Sequence, residues 1–181
     1  GFRQPRSEDV QAPIEVSFEE AYHGSTRTLT VDGRRLEVKI PAGVDTGSRV
    51  RVAGGAPRAR PGGGRGDLYL MVTVHPHPFF ERKGDDLYVE LPLTVPEAAL
   101  GAGIKVPTFK GKVSMKIPPE TSSGKTFRLP GYGMPRLKGG GSGDQYVKVK
   151  VALPTGLSDR ERKLFEELRQ LRTDNPRAHL G

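Results

Sequence analysis

HPHPFFERKGDDLYVELPLTVPEAALGAGIKVPTFKG, residues 75–111, closes one β-rich unit and opens another. Pro76 and Pro78 have no N–H to give to a sheet ladder, so a strand ends there. Lys83-Gly84-Asp85-Asp86 makes a turn. Beyond it Leu87, Val89, Leu91 and Leu93 recur at every second position, the period of a strand with one buried face.

Working outward from this stretch, the two sides match. Val38-Lys39-Ile40-Pro41 is echoed by Met115-Lys116-Ile117-Pro118. Gly47 and Gly124 stand 77 positions apart (124 − 47), and Gly54 pairs with Gly131 at the same offset. So do Gly66-Asp67-Leu68-Tyr69 with Gly143-Asp144-Gln145-Tyr146, Gly24 with Gly101, and Ser17-Phe18-Glu19-Glu20-Ala21 with Thr94-Val95-Pro96-Glu97-Ala98. One residue slips between Asp32-Gly33 and Lys110-Gly111, where a turn absorbs it. A constant offset over this length marks an internal duplication.

Each copy predicts the same elements. Ser17-x-x-Glu20 and Thr94-x-x-Glu97 are capping boxes that start short helices, and Gly24 and Gly101 end them in a left-handed conformation. Thr26–Val31 and Arg34–Ile40 alternate around Asp32-Gly33, a strong hairpin signal. Pro13–Val16, Arg49–Val52 and Asp67–Val74 complete the first sheet. Ile104–Val106, Lys112–Ile117, Lys125–Leu129 and Gln145–Val151 supply the second. After Pro154 a third box, Ser158-x-x-Glu161, opens the one long helix, with Leu164, Phe165, Leu168 and Leu171 along one face. About four turns are too few to be stable alone, so this stripe packs on its own domain or on a second chain. The expected fold is therefore mainly all-β: two tandem β-sandwich domains of one fold with short helices, and a C-terminal helix. The expected divisions are a leader (1–11), a first domain (12–75), a hinge (76–80), a second domain (81–157), the helix (158–172) and a tail (173–181).

Composition agrees. Among 181 residues are 24 Gly and 16 Pro, so turns are many. The absence of Cys excludes disulfides and thiolate metal sites and fits a reducing compartment. No run is apolar enough to span a bilayer and residues 1–10 are polar, so a cytoplasmic protein without a signal peptide or membrane partner is expected. The net charge of +8 permits acidic or nucleic-acid partners without requiring them.

Motifs of catalysis do not survive their context. Ser123-Gly124-Lys125-Thr126 resembles the end of a phosphate-binding loop, but Pro119 stands where that loop needs Gly. Gly101-Ala102-Gly103 and Gly131-Tyr132-Gly133 lack the third Gly of a dinucleotide fingerprint. His75-x-His77 has only His23 and His179 as further imidazoles, so no metal site is expected. Asp85-Asp86 sits in a turn that favours Asp locally. With no nucleophile–base pair, no enzyme and no cofactor are expected. The Gly-rich loops 54–66 and 131–143 carry Arg58, Arg60, Arg65, Arg136 and Lys138, and are expected to be mobile. They are basic enough to meet phosphates, yet aromatic content is 7% and the first loop has none for base stacking. Peptide binding by strand addition remains. Arg27, Leu29 and Val31 share one strand face near Ile14; they line a groove or belong to an ordinary core.

Residues 74–88, VHPHPFFERKGDDLY, and 91–101, LPLTVPEAALG, with Val106-Pro107-Thr108 following, resemble the inter-domain segment of DnaJ-type J-domain co-chaperones. Lys39-Ile40-Pro41-Ala42-Gly43-Val44-x-x-Gly47 and Gly131-x-Gly133-Met134-Pro135 extend the likeness, which covers about residues 12–172. The resemblance implies two β-sandwich domains, a hinge marked by Pro76 and Pro78, and a helix that makes a homodimer through Leu164, Phe165, Leu168 and Leu171. It implies a shallow groove for unfolded polypeptide on the first domain, at Ile14, Leu29, Val31 and Leu70, with Arg27 as a basic neighbour. It also implies delivery of clients to a DnaK-type chaperone. Both His-Pro pairs are followed by His or Phe, so the His-Pro-Asp motif of a J-domain is missing and these residues alone are not expected to stimulate that ATPase. No Cys-rich zinc module interrupts Val31-Asp32-Gly33-Arg34. That resembles the zinc-free subclass, which includes a curved-DNA-binding relative, and leaves weak nucleic-acid binding as the alternative.

Overall fold

A computed structural model describes residues 8–58 and 60–181. The first copy runs β1 (Val10–Val16), α1 (Phe18–His23), β2 (Ser25–Val31), β3 (Arg34–Ile40), β4 (Arg49–Val52) and β5 (Leu68–Val74). β6 (Glu81–Lys83) precedes the second copy, β7 (Asp86–Thr94), α2 (Val95–Leu100), β8 (Ala102–Val106), β9 (Val113–Ile117), β10 (Thr126–Leu129) and β11 (Gln145–Ala152). α3 (Asp159–Leu171) follows. The chain is mainly β, as its patterning predicts. β1 starts at Val10, inside the stretch expected as leader; residues 1–7 of that leader lie outside the described residues. β6 is an addition to the expected strands: Glu81–Lys83 turns at Gly84 and pairs antiparallel with Asp86–Tyr88.

Both copies are built alike. β1 and β5 run parallel with β4 on the far side of β5, and β7, β11 and β10 repeat this arrangement, with β6 added beside β7. The hairpins β2–β3 and β8–β9 form separate two-stranded sheets. Pro13 is tolerated in β1 because that strand is an edge, with one side free of ladder bonds.

The side chains that set each sheet are duplicated with the same spacing. Asp67 accepts the Gly54 N–H at 2.9 Å, and Asp144 accepts that of Gly131 at 2.9 Å. Arg51 Nε reaches Asp67 at 2.9 Å, as Arg128 Nε reaches Asp144 at 2.8 Å. The Asp9 carboxylate accepts the Asp67 N–H, and Asp86 accepts that of Asp144. Asp86 is thus a structural latch as well as a turn residue. The capping boxes form in α1, α2 and α3. Gly24 and Gly101 end the first two with φ 77° and 83°, but ψ near 160° puts them outside the left-handed helical well and in a region open only to glycine. A Cβ on Gly24 would lie 3.0 Å from the Ile40 carbonyl, and one on Gly101 would lie 3.0 Å from that of Ile117.

The two domains share a continuous core. Phe109, on the β8–β9 turn, stacks on Phe18 and Tyr22 of α1, with ring centres 5.6 and 4.6 Å apart. His77 is wedged among Phe18, Phe79, Phe80 and Phe109. Its Nδ1 accepts the N–H groups of Phe79 and Phe80 at 3.2 Å each. Of the segment expected as a hinge, His77 and Phe80 are thus packed into the junction, while Pro76, Pro78 and Phe79 remain exposed. Arg82 adds a clamp: its buried guanidinium donates to the carbonyls of Val44 at 2.5 Å and Gly43 at 2.9 Å, across the junction.

Candidate functional site

On the first domain the expected groove residues separate into two layers. Ile14 (7% exposed) and Leu70 (2% exposed) belong to the sealed core. Ile14 pairs with Val72 across the β1–β5 ladder, and Leu70 pairs with Ala12 and Val50, which places both inside the three-stranded sheet. Leu29 and Val31 are only half-buried. The inward positions of β2, Ser25, Arg27, Leu29 and Val31, are all half-covered, while the next strand hides Val38 and Ile40 fully. The open part of the hairpin is therefore its tip half.

Among the described residues β2 pairs only with β3, register Leu29 to Leu36, and its other edge has no ladder partner. The outer edge of β1 likewise has no strand partner among the described residues. Arg27 spans the gap: one Nη2 donates to the Glu15 carbonyl of β1 at 2.9 Å, while Nε and Nη2 hold the Glu20 carboxylate at 2.9 and 2.8 Å. Glu20 also accepts the Ser17 N–H at 3.0 Å to close the capping box. These donors, Arg27 first and Ser17 second, bring the Glu20 carboxyl from 4.5 down to about 2. Arg27 is more than a basic neighbour: its fork fixes how far β2 stands from β1, a role its sequence position does not reveal.

A second apolar surface lies at the far end. No residue of α3 is buried; Leu164, Leu168 and Leu171 are 53%, 47% and 78% exposed. Leu164, Phe165 and Leu168 line a groove of about 730 Å³ whose other wall is Val95, Ala99 and Leu100 of α2 with Leu153. These exposed leucines and the groove beside them form one contiguous apolar surface on a short, otherwise polar helix. No cluster of three or more metal-ligating side chains occurs among the described residues, and no described helix is long and apolar enough to cross a membrane.

Two copies of one β-fold, with a β2 edge that has no ladder partner among the described residues and a C-terminal helix that carries exposed leucines, make a tandem-domain β protein. The match to known proteins makes this specific. The DnaJ C terminal domain family model covers residues 10–154, and the chain belongs to that family. It is 46% identical over 138 residues to the chaperone protein DnaJ of Oceanobacillus iheyensis, covering 76% of this chain and 37% of that protein. Against the Brevibacillus choshinensis protein of the same name it is 49% identical over 148 residues, covering 82% and 40%. A Geobacillus relative is 51% identical over 138 residues, covering 76% and 36%. The chain thus spans about two fifths of the length of these relatives.

Proposed function

We propose that this chain is the client-holding part of a J-domain-type co-chaperone. It binds non-native polypeptide on the first domain and passes it to a DnaK-type chaperone in the cytoplasm, without catalysis. The observation that carries this reading is the half-covered tip of β2 beside a strand edge with no ladder partner among the described residues. An extended client segment adds along that edge through main-chain hydrogen bonds, and Leu29 and Val31 receive one or two of its apolar side chains. Ile14 and Leu70 form the floor beneath them rather than a contact surface. Each apolar side chain taken in contributes roughly 1.5–3 kcal/mol before ordering costs, so one groove binds weakly.

α3 compensates for that weakness. A 13-residue helix with no buried residue is marginal alone, and its stripe faces a groove it does not fill. A second copy of the chain seated there through Leu164, Phe165, Leu168 and Leu171 presents two client grooves to one polypeptide, and effective concentration raises the avidity.

Leu29→Asp tests the groove. It is expected to weaken suppression of client aggregation while leaving the unfolding midpoint nearly unchanged; undiminished suppression rejects the assignment. Deleting residues 158–181 tests the helix. Sedimentation is expected to report a monomer with poorer client capture, and an unaltered sedimentation coefficient rejects this role.

A further inference from the structure

The Gly-rich loop of the first domain folds onto the tip of the β2–β3 hairpin. Asp32 and Gly33 make that turn with φ of 50° and 74°, the left-handed pair a tight hairpin requires. The Asp32 carboxylate accepts the Arg58 N–H at 2.9 Å, and Arg34 Nη2 donates to the Gly54 carbonyl at 3.1 Å. Arg34, Arg58 and Arg65 are gathered here with Asp32 as the accompanying acid. A guanidinium has five donors and no acceptor. Among the described residues only three buried side-chain polar atoms lack a partner, and two are Arg34 Nε and Arg65 Nη1. Burial, then the charges of Arg34 and Arg58, make the Arg65 cation harder to keep, with Asp32 opposing them.

We propose that Arg34, Arg58 and Arg65 form a binding site for a compact, doubly charged oxyanion, a phosphate group. Three guanidinium groups against one carboxylate leave a local charge of +2, which a dianion neutralises. Planar guanidinium forks match phosphate oxygens, and the two unfilled donors come from different segments, one on the hairpin and one on the loop. A phosphodiester strand is a poorer match: each linkage carries one charge, and residues 54–66 hold no aromatic ring to stack a base. The site belongs to the first copy alone. Positions 77 further on from Arg58 and Arg65 are Pro135 and Ser142, so the second copy lacks both loop arginines.

The test is a titration of the whole chain with inorganic phosphate at fixed ionic strength and pH 8, followed by arginine side-chain NMR shifts and by the rise in melting temperature. Phosphate is expected to shift Arg34 and Arg65 and to raise the melting temperature by mass action, whereas chloride does neither. Arg65→Gln and Arg34→Gln are expected to weaken binding at least tenfold. Arg128→Gln, which removes an exposed arginine of the second domain, is expected to leave it unchanged. Arg65→Lys, which keeps the charge and loses the fork, is expected to weaken it less than Arg65→Gln. A phosphoserine peptide and a nucleoside monophosphate, each against its unphosphorylated form, identify the carrier, and the better competitor names the source. Their binding is expected to fall as pH drops through about 6, where a phosphate monoester loses its second charge. Equal phosphate affinity in Arg65→Gln and the parent overturns the proposal, as does an equal response to chloride. Tighter binding of single-stranded DNA than of either monoester, lost in the same variants, overturns it in favour of a strand-binding surface.

Discussion

Leu29 and Val106 occupy the same place in the two copies, 77 positions apart, on the inward face of the first strand of each hairpin. Leu29 is half-covered, and Val106 is completely buried. The surroundings explain the difference. The second hairpin is shorter, with five-residue strands where the first has seven. Its turn folds back so that Phe109 enters the domain junction and the Gln145 side chain donates to the Pro107 carbonyl at 3.0 Å. The long loops differ in the same way. In the second copy Met134 is buried, and the chain around Pro135 and Leu137 lies so close to Gly43 of the first domain that a Cβ there would meet the Pro135 carbonyl at 2.5 Å. In the first copy the equivalent loop gathers arginines at a hairpin tip. The second domain's hairpin and loop are taken up in the junction, while the hairpin of the first stays half-covered along β2.

The largest expected effect comes from placing one charge at both matched positions. Val106→Asp buries an unpaired carboxylate and is expected to cost about 3–5 kcal/mol, read as a collapse of the urea midpoint. Leu29→Asp is expected to cost about 1 kcal/mol or less. Equal losses at the two sites break the comparison. Next comes the junction that sets the two copies apart. Arg82→Ala is expected to cost roughly 2–4 kcal/mol, because the carbonyls of Gly43 and Val44 lose a charged donor; hydrogen exchange at both domain faces reads it, and a change confined to β6 contradicts the clamp. A smaller effect belongs to the first copy. The Glu20 carboxyl, at about 2 in the fold and 4.5 when free, adds stability that is full above pH 4.5 and fades as the pH falls toward about 2. Partial exposure holds this to about 1 kcal/mol, so Glu20→Gln is expected to show that deficit at pH 7 and none at pH 2. The smallest concerns Gln145, fully buried with Oε1 unpartnered, where the first copy has Leu68. Gln145→Leu removes that orphaned oxygen but strips the Pro107 carbonyl of its donor, so the melting temperature is expected to change by the equivalent of about 1 kcal/mol at most.

Much of the fold is legible because it rests on local rules. Ser17-x-x-Glu20, Thr94-x-x-Glu97 and Ser158-x-x-Glu161 each form the capping box their spacing predicts. Asp32-Gly33 turns the first hairpin with both φ values positive. The alternation of Leu87, Val89, Leu91 and Leu93 is the buried face of β7. β6 is harder to see, since three charged residues, Glu81-Arg82-Lys83, have no alternation and pair only because the Gly84 turn presents them to Asp86–Tyr88. Arg82 is harder still. Among 29 basic residues nothing local distinguishes it, yet its side chain is buried in the junction. At the residues expected to line a groove, the period-two pattern places Ile14, Leu29, Val31 and Leu70 on inward faces but cannot tell the sealed Ile14 and Leu70 from the half-covered Leu29 and Val31, because all are apolar and alternate alike.

What the amino-acid order determined by itself is the duplication: turn residues, caps and alternation depend on neighbours a few positions away, and they recur at a constant spacing. Only the tertiary structure decided which copy stays open. Coverage of Leu29 or Val106 depends on segments far along the chain, such as Phe109 reaching α1 and Arg27 bridging to Glu15. Such long-range contacts leave no periodic trace in the sequence, so two near-equal halves acquire different surfaces only once they pack against each other.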